Sequence, residues 1–74
     1  MNDFFTIGFF KKYQKNLHYR LDDNRCAKVY SYNTLVAIQI DDELVEQGYW
    51  STTTRKHVNY AASELGLTVK HFGL

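Results

Sequence analysis

The sequence predicts an α+β fold: a small antiparallel β-meander of three to five strands, with one amphipathic helix from the C-terminal half packed on one face. Three observations carry this. Between residues 17 and 50, apolar and β-branched stretches are separated by short clusters of turn formers. Val58, Ala61, Ala62 and Leu65 fall at i, i+3, i+4 and i+7, the apolar stripe of a helix. The chain has 74 residues, 45% of them apolar and no proline, which suits one core in one domain over residues 1–74.

The elements follow in chain order. Phe5, Ile7 and Phe9 alternate as a strand does, yet Phe5, Phe9 and Tyr13 are also four apart as on a helix, so residues 1–16 stay open. Leu17, Tyr19 and Leu21 alternate with His18 and Arg20, a half-buried strand. Asp22-Asp23-Asn24 turns the chain, and Cys26 to Tyr32 is β-prone. Asn33 marks a tight turn because its side chain tolerates positive φ. Thr34 to Ile40 reads as the most buried strand; Asp41-Asp42 turns again and Leu44 to Trp50 returns. Short turns make these neighbours antiparallel.

Ser51, Thr52, Thr53 and Thr54 offer hydroxyls to cap the helix, and Gly66 stands where a left-handed residue ends one. Leu67 is expected to fold back on the last turn, and Thr68 to Phe72 alternates as a final strand would.

A formal net charge of +1 excludes a global pull toward nucleic acid or membrane. A lone cysteine, Cys26, excludes an internal disulfide and reads as a buried structural thiol. Phe4 to Phe10 lacks the basic start and cleavage site of a signal peptide, and no apolar run reaches the ~20 residues of a membrane span. The expected location is the cytoplasm. No Gly-rich phosphate loop, catalytic carboxylate pair, serine elbow or metal-ligand set stands out, so neither a catalytic residue, a metal site nor a cofactor is expected.

Two segments point to binding. Thr53, Thr54, Arg55, Lys56 and His57 place hydroxyls and cations where a helix start already exposes N–H groups and partial positive charge, so an anion or an acidic partner group is the complement. The competing account is that Arg55 and Lys56 are solvated and the threonines only cap. Tyr49 and Trp50 end the returning strand, one packing under the helix and the other free as a partner anchor, next to the acidic hairpin Asp41, Asp42 and Glu43. Lys11, Lys12 and Lys15 interleave with Phe10, Tyr13 and Tyr19, a mixture that suits a phosphate backbone or a sheet with one wet face.

Tyr30-Ser31-Tyr32-Asn33-Thr34 and Trp50-Ser51-Thr52-Thr53-Thr54-Arg55-Lys56-His57 form two motifs over roughly residues 27–65. They resemble a domain of unknown function in small bacteriophage proteins, with a Tyr-Ser-Tyr-x-Thr strand and an aromatic-Ser-x-Thr-Thr-x-x-His helix start. The resemblance implies a phage-type origin and no activity, and it sets Thr53, Thr54 and His57 among motif positions. By analogy with other small phage proteins, the expected function is non-enzymatic occlusion of a host-protein surface. The alternative is a nucleic-acid-associated protein holding phosphates through Lys11, Lys12, Lys15, Arg55 and Lys56. A homo-oligomer paired through a sheet edge is compatible with either, and no membrane partner is expected.

Overall fold

A computed structural model describes residues 6–13 and 15–72. Phe4 and Phe5, used in reading the start of the chain, lie outside them. The elements are β1 (Thr6–Phe9), β2 (Leu17–Leu21), β3 (Ala27–Ser31), β4 (Thr34–Ile40), β5 (Glu43–Glu46), α1 (Thr52–Leu65) and β6 (Thr68–Lys70). The strands form one sheet in sequence order, β1 to β6.

The α+β class and the single helix match the sequence reading, but the sheet has six strands instead of three to five. The four strands between residues 17 and 50 and the expected final strand make five, and β1 is the sixth. The open segment at the start becomes β1, because pairing Thr6–Phe9 with Leu17–Leu21 satisfies backbone groups that an isolated helical turn would leave exposed. The last strand, β6, runs parallel to β5. That departs from an all-antiparallel meander, and the cause is α1, which carries the chain back along the sheet before β6 begins.

The turns use the residues that suit them. Tyr32 and Asn33 both hold positive φ (52° and 70°), the two-residue turn whose twist fits a hairpin. Asp22 accepts the backbone N–H groups of Asn24 and Cys26 on Oδ1 (2.9 and 3.0 Å), tying off the β2–β3 turn. Cys26 is half-buried there, less enclosed than its composition suggested, because it sits in the turn and not in β3.

β4 is not the most buried strand. β3 buries Ala27, Val29 and Ser31, whereas β4 buries only Val36 and Ala37. The cause is an irregularity in register: Val29 faces Ala37 but Tyr30 faces Leu35, so Val36 is the extra residue of a bulge. Its carbonyl accepts both the Gln47 N–H and the Trp50 indole N–H, each at 2.9 Å. The returning strand therefore ends at Glu46, and Trp50 pins the following loop to the bulge.

Ser51 is the N-cap of α1, its hydroxyl accepting from the Thr54 N–H, while the threonines form the first turn. Gly66 ends the helix at φ 72°, with the Leu67 N–H on the Ala62 carbonyl (2.8 Å), a Schellman close. Ser51→Ala is expected to cost about 1 kcal/mol, read as a lower melting temperature; an unchanged melt would remove the cap from the account of this helix start.

Val58, Ala61 and Ala62 bury against Leu17, Val29, Val36, Ala37 and Leu44. Phe10, Tyr13 and Tyr60 close the end of this core near β1, with Phe10 5.1 Å from the Tyr19 ring and 5.6 Å from Tyr60. Gly8 faces Tyr19 across the strands, and a Cβ there would collide with the Tyr19 ring. α1 covers one face; among the described residues, no helix lies on the other.

Candidate functional site

The five residues of the helix start do not converge on one pocket. Thr53 and Lys56 are exposed, and Thr54 shares its cap contact with Ser51. Arg55 turns to the buried carboxylate of Glu46, 3.5 Å away. The first turn has no acid of its own, so β5 supplies the anion that Arg55 meets. Glu46 Oε1 also meets His71 Nδ1 (3.1 Å) and the Phe72 N–H (3.2 Å), so one carboxylate fastens β5, the helix start and the segment after β6.

His57 turns into the core. Its Nδ1 shares a 2.9 Å hydrogen bond with Ser31 Oγ, and both residues are only 2% exposed. The Tyr13 ring packs on it at 4.5 Å. Burial lowers the His57 pKa, which favours the neutral imidazole. Both side chains are buried, and their hydrogen bond joins helix to sheet.

The expected partner contacts separate. Tyr49 is exposed and packs edge-on against Phe72 at 4.9 Å, while Trp50 is half-buried on the bulge. The two differ as expected, although both lie beyond the end of β5 and not on it. Asp41 and Asp42 are exposed at the hairpin tip, and Glu43 is half-buried on the sheet opposite Thr68. Lys11, Lys12 and Lys15 are exposed; the Lys12 ammonium stands 5.5 and 5.7 Å from the Tyr13 and Tyr60 rings, on the helix side. No cluster of potential metal ligands occurs among the described residues.

What the sequence reading missed is the face of the sheet opposite α1. Strand register assembles it in rows, since directly opposed residues share a face. One row runs Phe9–His18–Tyr30–Leu35; the next runs Ile7–Arg20–Lys28–Ile38–Val45–Lys70. A third holds Ile40, Glu43 and Thr68. Phe9 is 64% exposed, Ile40 54% and Ile7 48%.

Within this face the His18 and Tyr30 rings stack at 5.1 Å and 4°, and the Arg20 guanidinium lies 4.5 Å from the Tyr30 centroid. Burial and the neighbouring Arg20 both lower the His18 pKa. Beside this stack, Arg20, Asp22, Lys28 and Tyr30 enclose a hollow of about 160 Å³. The signal for it was present in the polar members of the alternating strands, which read as ordinary solvated positions until register placed them side by side.

Residues 9–70 match a family of unknown function, DUF8033. The chain belongs to DUF8033. No curated protein and no solved structure matches it. The DUF8033 match reaches well beyond the 27–65 stretch of the motif resemblance, taking in β2 and all but the first residues of the sheet. In this DUF8033 chain the two motifs meet physically: Ser31 of the first bonds His57 of the second. Those positions serve the DUF8033 fold, whereas the open face is occupied by residues outside both motifs apart from Tyr30. Among the described residues, no helix is long and apolar enough to cross a membrane.

Proposed function

We propose that this DUF8033 chain is a non-enzymatic, phage-type binding protein that occludes a surface of a host protein, using the sheet face opposite α1. The observation that carries the reading is the exposure of Phe9, Ile40 and Ile7 on the sheet face opposite α1. Water-exposed aromatic and branched side chains gathered on one face gain free energy when a partner covers them, and large aromatics make strong anchors. The phage and host parts of the reading rest on the motif resemblance. Phosphate binding through Lys11, Lys12, Lys15, Arg55 and Lys56 has less support, because Arg55 faces Glu46 and the Lys12 ammonium lies near Tyr13 and Tyr60.

The test compares the wild-type chain with a Phe9→Ser, Ile40→Ser variant as bait in bacterial lysates. One specific protein should be retained by the wild type and released by the variant, with the melting temperature of the variant little changed. Equal retention by both, or no specific protein from several lysates, would overturn the proposal.

A further inference from the structure

We infer that β1 pairs with β1 of a second copy of this chain, antiparallel about a two-fold axis at Gly8, so that two six-stranded sheets join into one. The inference goes beyond the docking reading and stands without it.

The two edges of the sheet differ. β6 has three residues, one of them Lys70, and a charged side chain on a short edge strand discourages pairing with another chain. β1, Thr6–Phe9, carries no charge, and no bulge interrupts its ladder with β2. Among the described residues β2 is the only strand that pairs with it. The helix packs on β3, β4, β5 and β6, away from this edge. The outward N–H and C=O groups of such a strand are complemented by another strand.

Register selects a second copy over an unrelated strand, because β1 complements itself. Directly opposed residues of an antiparallel pair share a face. A two-fold axis through Gly8, perpendicular to the sheet, sets Ile7 of each copy opposite Phe9 of the other. Both side chains are exposed on the face opposite α1, and an aromatic set against a β-branched residue is a favourable cross-strand pair. At the axis Gly8 meets Gly8 on the α1 side. It brings no side chain of its own to obstruct the approach, and the Tyr19 ring already fills the space beside it. The joined sheet places Phe9 and Ile7 of both copies at its centre.

Sedimentation equilibrium of the full chain, from low micromolar to millimolar concentration, should approach twice the chain mass. Phe9→Lys puts a charge on the strand edge and should raise the dimer dissociation constant about tenfold or more, with the circular dichroism of the wild type. Crosslinking reads the register. In a Cys26→Ser background, Ile7→Cys mixed with Phe9→Cys should form a disulfide-linked dimer under mild oxidation, because opposed Cα atoms lie within disulfide reach. Phe9→Cys alone should link far less, since its two copies are offset along the strands. A chain that stays monomeric throughout, a dimer that Phe9→Lys leaves equally tight, or Phe9→Cys linking to itself as fully as to Ile7→Cys would each overturn the inference. Ile40→Ser, on β4, should leave the pairing intact while weakening capture of the host protein. A chain that pairs but captures nothing keeps this inference and loses the docking reading.

Discussion

Glu46→Ala is expected to destabilise the protein by about 2–3 kcal/mol, a large share of what a chain this short can hold. The carboxylate is 1% exposed and serves three partners through Oε1: Arg55, His71 and the Phe72 N–H. Removing it opens a void under the sheet and leaves the Phe72 N–H without its acceptor. The figure sits below the full cost of breaking a buried ion pair, because the Arg55 and His71 side chains, 39% and 36% exposed, regain water. For the same reason Arg55→Ala should cost no more than about 1 kcal/mol. Glu46→Gln, which keeps an acceptor oxygen, should fall between the two. Urea unfolding followed by Trp50 fluorescence measures all three. A Glu46→Ala midpoint equal to wild type would show that the carboxylate does not fasten β5, α1 and the segment after β6.

The helix and its limits were legible in the sequence because the signals are local. Ser51 caps, Gly66 ends, and Val58, Ala61 and Ala62 bury with Leu65 half-buried beside them, and each of these acts within one or two turns of α1. The hairpin at Tyr32 and Asn33 was legible for the same reason. β6 was legible as a strand but not in its direction, since parallel pairing with β5 depends on where α1 returns the chain. The environments of Glu46 and His57 were not legible either. A glutamate and a histidine read as solvated until their partners are known, and those partners, Phe72 and Ser31, lie 26 residues away in each case.

The open face shows the same limit. Alternation says that Arg20 and Lys28 point away from their buried neighbours, but only register places one beside the other. A bulge at Val36 shifts that register part-way across the sheet, bringing Leu35 opposite Tyr30. The candidate surface is thus a product of pairing, whereas the motif at the helix start is a product of adjacency. In this chain the adjacent residues largely hold the fold together, and the paired ones face the solvent.

His57→Ala is expected to cost about 3 kcal/mol, from the lost ring volume and from the stranded Ser31 hydroxyl. The ring lies between Ser31, at 2.9 Å, and Tyr13, at 4.5 Å, in the layer that joins α1 to β3. If the hydrogen bond matters beyond packing, Ser31→Ala and His57→Ala should not add: their double-mutant cycle should give a coupling of about 1 kcal/mol. Strict additivity would reduce the pair to packing alone. The same burial fixes a pH dependence. The folded-state pKa of His57 lies below its ordinary 6.5, so between those values the unfolded chain binds more protons than the folded one. Stability is therefore fully present above pH 6.5, falls as the pH drops through that window, and levels off below the folded-state pKa. His18 is shifted in the same direction and adds to the slope. His57→Leu, which keeps an apolar side chain in the site, should flatten the fall in melting temperature between pH 7 and about pH 5 and leave only the share due to His18. An unchanged slope in that variant would mean that the imidazole takes up its proton as readily in the core as in water, and the case for a buried neutral Ser31–His57 tie would fail.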